Sequence, residues 1–178
     1  DSTGTLGYKS DFFKIGKNAY YENFNFEFSK KFSKTFKLIV DYFYIQYNST
    51  VIEGHEMPNI HSHTVVVDMT FNINDKHSIR SELQHMYAKQ GYGSWAFGMV
   101  EYTIAPKWFF SVSDMYNYGN AIAEKRIHYY NVATAFAVGS TRIALSYGRQ
   151  RAGILCVGGV CRFVPAANGL MLSISSSF

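Results

Sequence analysis

Apolar and polar side chains alternate with a period of two residues in segment after segment of this chain, and no other feature restricts its fold so strongly. In the segment 64–73, Val65, Val67 and Phe71 share one parity, whereas Asp68 and Thr70 share the other. This period places successive side chains on opposite faces of a β-strand. It therefore predicts an all-β chain with about nine strands, within a range of 8–10: 20–29, 36–44, 64–73, 79–87, 95–104, 108–113, 129–138, 142–150 and 170–178.

Composition agrees with strands and argues against membrane helices. Of the 178 residues, 17% are aromatic, and Tyr and Phe favour strands. No stretch approaches the roughly 18 continuous apolar residues that a transmembrane helix needs. The mean hydropathy of -0.11 resembles that of a soluble protein, but a transmembrane β-barrel gives a similar average because only every second residue faces lipid. The length fits one domain, 1–178.

The connections between the predicted strands alternate in length. Short turns fall at 30–34, 74–77, 105–107 and 139–141, and longer links at 48–62, 89–94, 119–126 and 151–168. Outer-membrane barrels have short periplasmic turns and longer external loops, with aromatic girdles at both interfaces. We therefore predict an antiparallel up-and-down transmembrane β-barrel. The alternative is a soluble β-sandwich with an aromatic core. Because bacterial single-chain barrels use even strand numbers, nine strands suggest part of a larger barrel.

Charged and amide side chains recur on the parity opposite the apolar one. In a barrel this parity faces the lumen, and Arg80 and Glu82 would form an ion-pair ladder there. An open lumen would be a pore of mixed charge, whereas a packed one would be a structural plug. We predict that the following residues face the lumen: Lys37, Asp41, Asp68, Arg80, Glu82, Gln84, Glu101, Arg142 and Gln150.

The C-terminal segment resembles the signal by which outer-membrane barrels are recognised for assembly. Its residues are Leu170, Leu172, Ile174 and the terminal Phe178, and Ser176 departs from the pattern. The stretches 109–120 (FFSVSDMYNYGN), 146–153 (SYGRQRAG) and 156–162 (CVGGVCR) look like an uncharacterised Bacteroidota outer-membrane β-barrel family. The resemblance implies a barrel in the bacterial outer membrane, in contact with its lipid and lipopolysaccharide and with the barrel-assembly machinery. That family has no assigned role and has longer members, so the likeness implies no mechanism.

The two cysteines flank a predicted hairpin. Gly158 and Gly159 suit a two-residue turn, which would make Val157 and Val160 one cross-strand pair and Cys156 and Cys161 the next. Their Cα atoms would then lie roughly 4.5 Å apart, within reach of a disulfide. We predict this disulfide. A metal or redox pair and two free thiols are the alternatives.

The remaining polar motifs give weak indications of chemistry. His55, His61 and His63 are weak metal candidates in the link after the second strand, where a solvated polar loop is the simpler interpretation. The residues that could serve an enzyme are scattered, and no G-x-S-x-G motif is present, so we predict no enzyme, metal or cofactor: Glu53, His55, Glu56, Asp114 and His128. The net charge of +4 includes no basic run, which disfavours nucleic-acid binding.

The sequence thus predicts location better than activity. The N-terminal residues lack the features of a signal peptide, so the chain is expected to be a mature protein or a fragment. The leading hypothesis is a non-enzymatic structural or scaffold subunit of an envelope complex, with other envelope proteins as partners. The alternatives are a porin-like channel or transporter for small solutes and an enzyme active at the barrel rim.

Overall fold

The computed structural model describes residues 21–48, 59–157 and 160–176. Nine strands form one sheet in the order β1-β2-β3-β4-β5-β6-β7-β8-β11, and β9 and β10 form a separate two-stranded sheet. The strands are β1 (Tyr21–Lys31), β2 (Phe36–Tyr47), β3 (Ile60–Asn72), β4 (His77–Ala88), β5 (Trp95–Ile104), β6 (Trp108–Tyr116), β7 (His128–Val138), β8 (Thr141–Gln150), β9 (Gly153–Val157), β10 (Val160–Val164) and β11 (Ala167–Ser176).

Every pair of neighbouring strands in the large sheet is antiparallel. Consecutive strands pair directly up to β8, and β8 then pairs with β11 around the β9–β10 hairpin. The register runs continuously across the sheet, so that Val67 lies opposite both Val40 and Leu83. The predicted all-β, up-and-down arrangement of nine strands is confirmed.

Short polar side chains close two of the short turns. Ser33 Oγ accepts hydrogen bonds from the backbone N–H groups of Thr35 and Phe36, at 3.1 and 3.0 Å. Asn74 Oδ1 accepts from those of Lys76 and His77, at 2.9 and 3.0 Å. Such bonds satisfy donors that the turn removes from the ladder, and they hold β1–β2 and β3–β4 at the predicted register.

Several strands extend beyond the predicted limits. β2 continues to Tyr47 and β3 begins at Ile60, so His61 and His63 lie in a strand rather than in a loop. The link predicted at 151–168 contains the predicted cysteine hairpin, β9–β10, and β11 begins at Ala167, three residues before the predicted start. Backbone pairing continues where the apolar alternation fades, because the ladder depends on backbone groups and not on side-chain polarity.

The predicted closure into a barrel is not found in the described residues, where the sheet is open and β1 and β11 are its two edges. Nine strands of alternating direction leave these two edge strands running the same way. A direct pairing between them would be parallel. An antiparallel barrel built on this sheet therefore needs an odd number of additional strands between β1 and β11.

The link between β6 and β7 contains a single 3-10 turn, Ala123–Lys125. Within the ranges that the structure describes, no helix is long and apolar enough to cross a membrane.

Candidate functional site

The register divides the side chains of the large sheet between two faces. The apolar face carries aliphatic and aromatic residues, among them Phe26, Val40, Val67, Leu83, Val100, Val112, Val132, Leu145 and Leu172. The opposite side, the polar face, carries all nine residues predicted to face a lumen: Lys37, Asp41, Asp68, Arg80, Glu82, Gln84, Glu101, Arg142 and Gln150. Their common face follows from the pairing, while their position in a lumen stays a prediction.

Side chains on the apolar face are more exposed than those on the polar face, which is the reverse of the pattern in a soluble protein. Val112 is 57% exposed, whereas its neighbour Ser111 is 7% exposed. In the next strand, Val132 is 52% exposed and Ala133 is 6% exposed. Soluble domains bury their large apolar side chains and expose their polar ones. Here the apolar face points outward and the polar face is the sheltered one.

Contacts that pass over whole strands show that the polar face is concave. The guanidinium of Arg142 in β8 lies 5.8 Å from the ring centre of Phe109 in β6, across the small Ala135 of β7. The guanidinium of Arg151, after β8, lies 5.2 Å from the ring centre of Trp95 in β5. Strands are about 4.8 Å apart, so a flat sheet would place β5 and β8 roughly 14 Å apart. Curvature toward the polar face brings these side chains together and contributes to the burial of Trp95, while Arg151 itself stays exposed.

A charged network occupies the concave face at β3–β5. Arg80 in β4 donates from Nε to Asp68 Oδ2 at 2.7 Å and from Nη1 to Glu101 Oε2 at 3.0 Å, and it also binds Glu82. The cross-strand register places Arg80 opposite Glu101, and Asp68 opposite Glu82. The three carboxylate side chains are 12–14% exposed and that of Arg80 is 40% exposed. Gln84 donates to Glu82 and extends the network along β4.

The other predicted lumen residues lie outside this network. Asp41 is paired in register with Glu27, while Lys37 lies opposite Thr70. Arg142 is in β8, and Gln150 donates from its side chain to the carbonyl of Pro165 at 3.1 Å. The polar face of β6–β8 between these residues is lined mostly by small side chains: Ser111, Ser113, Ala133, Ala135, Ala144 and Ser146. The structure thus gathers the carboxylates on one half of the face and leaves the other half nearly uncharged.

The apolar face has an aromatic band at each end of its strands. At the end with the short turns, the rings of Trp108 and Phe136 lie 4.6 Å apart, and Tyr102 packs on Phe110 at 6.5 Å. The other end pairs tyrosines with histidines: Tyr42 with His63, Tyr44 with His61, Tyr118 with His85 and Tyr116 with His128. Aliphatic side chains occupy the zone between the two bands.

The weak metal candidates lie in the second band. His61 and His63 share one side of β3, as expected if the strand begins there, but each hydrogen-bonds to a tyrosine. The Tyr44 hydroxyl lies 3.2 Å from His61 Nδ1 and the Tyr42 hydroxyl 2.8 Å from His63 Nδ1. Among the described residues, no group of three His, Cys, Asp or Glu side chains is placed to hold a metal ion. His55 lies outside the described ranges.

Two of the scattered enzyme candidates meet in the same band. His128 Nδ1 is 2.7 Å from Asp114 Oδ2, and its ring stacks on Tyr116 at 4.0 Å between centres. The sequence could not reveal this pair, since it depends on the β6–β7 register. Among the described residues, no hydroxyl or thiol hydrogen-bonds to His128. Glu53 and Glu56 lie outside the described ranges.

The predicted assembly segment forms the edge strand β11. Leu170, Leu172 and Ile174 are exposed on its apolar face, opposite Tyr147, Leu145 and Ile143 of β8. Phe178 lies outside the described residues. The recognition of this strand by an assembly machinery stays a prediction.

The cysteine hairpin has the predicted backbone pairing. Cys161 lies opposite Cys156 and Val160 opposite Val157, in the separate sheet β9–β10. The side chains of both cysteines lie outside the part of the chain that the structure describes. The disulfide therefore stays a prediction.

Sequence reasoning missed the packing of two longer links against each other. The backbone N–H of Gly119, after β6, donates to the carbonyl of Ser94, before β5, at 3.0 Å. A Cβ atom on Gly119 would lie 2.2 Å from the Ser94 nitrogen, and one on Gly93 would lie 2.0 Å from the Gly119 carbonyl oxygen. The sequence does not indicate which backbone segment an isolated glycine in a polar link will approach. These links form a close-packed rim at one end of β5 and β6.

Comparisons with known proteins give a family and no activity. A family profile described as a family of unknown function (DUF6029) matches residues 1–178. No curated protein and no solved structure matches the chain.

Proposed function

Because the chain belongs to the family of unknown function DUF6029, which assigns no activity, we propose a role from its two faces: an integral β-barrel protein of the bacterial outer membrane. Within that membrane we propose a non-enzymatic structural or scaffold function in an envelope complex. The observation that carries the proposal is the inverted exposure, with aliphatic and aromatic side chains outward and charged side chains on the concave face.

The exposed apolar face is too extensive for a protein that lives in water. Soluble monomers rarely expose contiguous apolar patches larger than a few hundred Å². Here exposed apolar residues occur in eight of the nine strands, all but β2, from Phe26 in β1 to Leu172 in β11. Hydrocarbon around this face would remove the free-energy cost of exposing it to water, because transfer of apolar area out of water is favourable by about 25 cal/mol per Å².

The dimensions of the strands fit a bilayer. The nine strands are 9 to 13 residues long, and a transmembrane strand needs roughly 9–11. Phe71 and His63, in opposite aromatic bands on β3, are eight residues apart, which is roughly 27 Å along a strand. With a tilt of roughly 40° the bands would be about 21 Å apart, close to the apolar height of outer-membrane barrels.

The open edges are consistent with a larger barrel. An odd number of further strands between β1 and β11 would give the even total that bacterial barrels use. The likeness of 109–120, 146–153 and 156–162 to a longer Bacteroidota barrel family supports the same proposal. The expected surroundings are outer-membrane lipid and lipopolysaccharide, and assembly would require the barrel-assembly machinery.

The ion-pair network favours a structural interior. Arg80 binds Asp68, Glu82 and Glu101, so its guanidinium is shared among three carboxylates of the protein and is not available to a passing solute. Such a network rigidifies the strands that it joins. Co-isolation with other envelope proteins from native outer membranes tests the scaffold role. Recovery of the barrel alone in every preparation contradicts it.

A channel for small solutes is the second candidate, and the small side chains of β7 and β8 favour it. Ala133, Ala135, Ala144 and Ser146 make this part of the concave face uncharged, and it could form one wall of a pore. Steady ohmic conductance of the purified barrel in planar bilayers would support transport over a purely structural role.

The two tryptophans of the chain test the membrane proposal directly, since one lies on each face. Trp108 is 43% exposed on the apolar face and Trp95 is 9% exposed on the polar face. We expect lipids brominated on their acyl chains to quench the fluorescence of Trp108 strongly and that of Trp95 weakly. The measurement uses the variants Trp95→Phe and Trp108→Phe in lipid vesicles.

Equal quenching of both tryptophans would contradict the assignment of the faces. A chain that stays soluble and monomeric without detergent, with Trp108 shielded from aqueous iodide, would contradict the membrane proposal itself.

A further inference from the structure

A small pocket opens on the polar face near the longer links, beside the end of the ion-pair network. Most of its walls come from four adjacent strands: Thr64 in β3, Gln84 and Met86 in β4, Trp95, Ala96 and Phe97 in β5, and Met115 in β6. Arg151, after β8, completes its lining. The register places Met86 opposite Trp95, and Phe97 opposite Met115, so the apolar wall is continuous over β4–β6.

Arg151 brings a positive charge to the edge of this apolar wall. Its guanidinium lies 5.1 Å from the ring centre of Tyr92 and 5.2 Å from that of Trp95. Contacts with ring faces orient the guanidinium and leave its N–H donors free for an acceptor. In the described ranges, no carboxylate forms an ion pair with Arg151. The arrangement is a fixed cation beside an apolar surface.

We propose that this pocket binds a small amphipathic organic anion, such as a monocyclic aromatic carboxylate. The carboxylate would accept hydrogen bonds from Arg151, whose planar fork matches two carboxylate oxygens. The apolar part would pack on Phe97, Met86 and Met115, because methionine side chains adapt to ligand shape. The site goes beyond the proposed structural role and does not require the interior to conduct.

The neighbouring charges set the orientation of the ligand. Gln84 lines the pocket and hydrogen-bonds to Glu82, so the acidic network begins on that side. A carboxylate directed toward Glu82 would be repelled, whereas one directed toward Arg151 is attracted. The anionic group therefore lies at the Arg151 side and the apolar part along β4–β6.

The size of the cavity limits the ligand class. Its volume is about 220 Å³, below the roughly 300–1,000 Å³ that is usual for ligand sites. One aromatic ring with a short carboxylate chain fits this volume, whereas most of a long-chain fatty acid would lie outside it. The probe for the test is 3-phenylpropionate, and its neutral analogue 3-phenylpropanol is the matched control ligand.

The Trp108→Phe variant makes Trp95 the reporter, because the chain has two tryptophans. In refolded protein we expect saturable changes of Trp95 fluorescence with 3-phenylpropionate, and at least tenfold weaker binding of 3-phenylpropanol. Arg151→Gln in this background should weaken 3-phenylpropionate binding at least tenfold, because it removes the charge that pairs with the carboxylate. The affinity of Arg151→Lys for 3-phenylpropionate should lie between that of the Trp108→Phe background and that of Arg151→Gln.

Arg149→Gln is the matched control variant, since Arg149 stacks on Tyr129 and does not line the pocket. It should change the affinity less than about twofold. No saturable binding at millimolar 3-phenylpropionate, equal affinity for the alcohol, or an Arg151→Gln variant that binds normally would each overturn the proposal. The bromolipid experiment reports on Trp108 and on the membrane, so the two proposals fail separately.

Discussion

The apolar and polar faces of the sheet are formed by the same strands but differ in the size, charge and exposure of the side chains that they carry. The apolar face carries large side chains that are exposed in the described part of the chain, such as Leu83 and Val132. The polar face is concave, so its side chains are crowded and must be either small, as Ala133 is, or mutually paired, as Arg80 and Glu101 are. The difference teaches that curvature, and not polarity, decides which side chains are sheltered here.

The largest expected effect comes from placing a charge on each face at adjacent positions of β4. Leu83→Arg puts a guanidinium on the apolar face, whereas Gln84→Arg puts one beside Glu82 on the polar face. At the middle of a bilayer the first change should lower the free energy of unfolding by about 2–4 kcal/mol, and the second should change it by less than about 1 kcal/mol. Denaturant unfolding in lipid vesicles measures both.

The same pair of variants distinguishes the bilayer from water. Leu83 is already exposed, so in a soluble protein Leu83→Arg would change stability by no more than about 0.5 kcal/mol. Equal stabilities of the two variants would contradict the proposal that only the apolar face lies in hydrocarbon.

The next largest effect concerns the polar face alone. Arg80→Met leaves the carboxylates of Asp68, Glu82 and Glu101 without their shared cation, while each is mostly buried. We expect a loss of about 1–3 kcal/mol, below the cost for a fully buried pair because Arg80 is partly exposed. Unfolding in vesicles at neutral pH provides the measurement.

Arg80→Lys and Lys37→Met serve as controls on the same face. Lysine keeps the charge but loses the geometry that contacts three strands, so an intermediate loss is expected. Lys37 is exposed and lies outside the network, and its removal should be nearly neutral. An Arg80→Met variant as stable as Lys37→Met would mean that the network adds no stability.

The strands and their faces could be predicted from the sequence because they depend on local alternation. Val65 and Asp68 differ in parity, and parity alone assigns them to opposite faces. The limits of β3 could not be predicted, since His61 continues the ladder through its backbone despite its polarity. The Arg151–Trp95 contact and the Asp114–His128 pair were also beyond prediction, because they depend on curvature and register between segments distant in sequence.

Asp114 is a charged residue on the apolar face, and it sharpens the comparison by indicating where that face would meet water. Its carboxylate pairs with His128, and both side chains are substantially exposed. If this band lies among lipid headgroups, His128→Phe should cost less than about 1 kcal/mol, as for other exposed pairs. The stability of the variant in vesicles tests this placement, with His85→Phe as a control that removes a histidine bound to Tyr118 and no carboxylate.

A loss of several kcal/mol in His128→Phe alone would contradict the headgroup placement. It would mean that Asp114 is left unpaired in hydrocarbon and that the band lies deeper than the strand lengths indicate.

The smallest expected effect concerns the hairpin β9–β10, which belongs to neither face. Cys156 and Cys161 are a cross-strand pair in this separate sheet, and a disulfide between them would close only a short loop. Reduction should raise the mass by about 2 Da and change the unfolding of the large sheet by less than about 0.5 kcal/mol. The double variant Cys156→Ser/Cys161→Ser should behave like the reduced protein. Alkylation of both thiols without a reductant would show that no disulfide forms, whereas a large loss of stability would show that the hairpin supports the two faces after all.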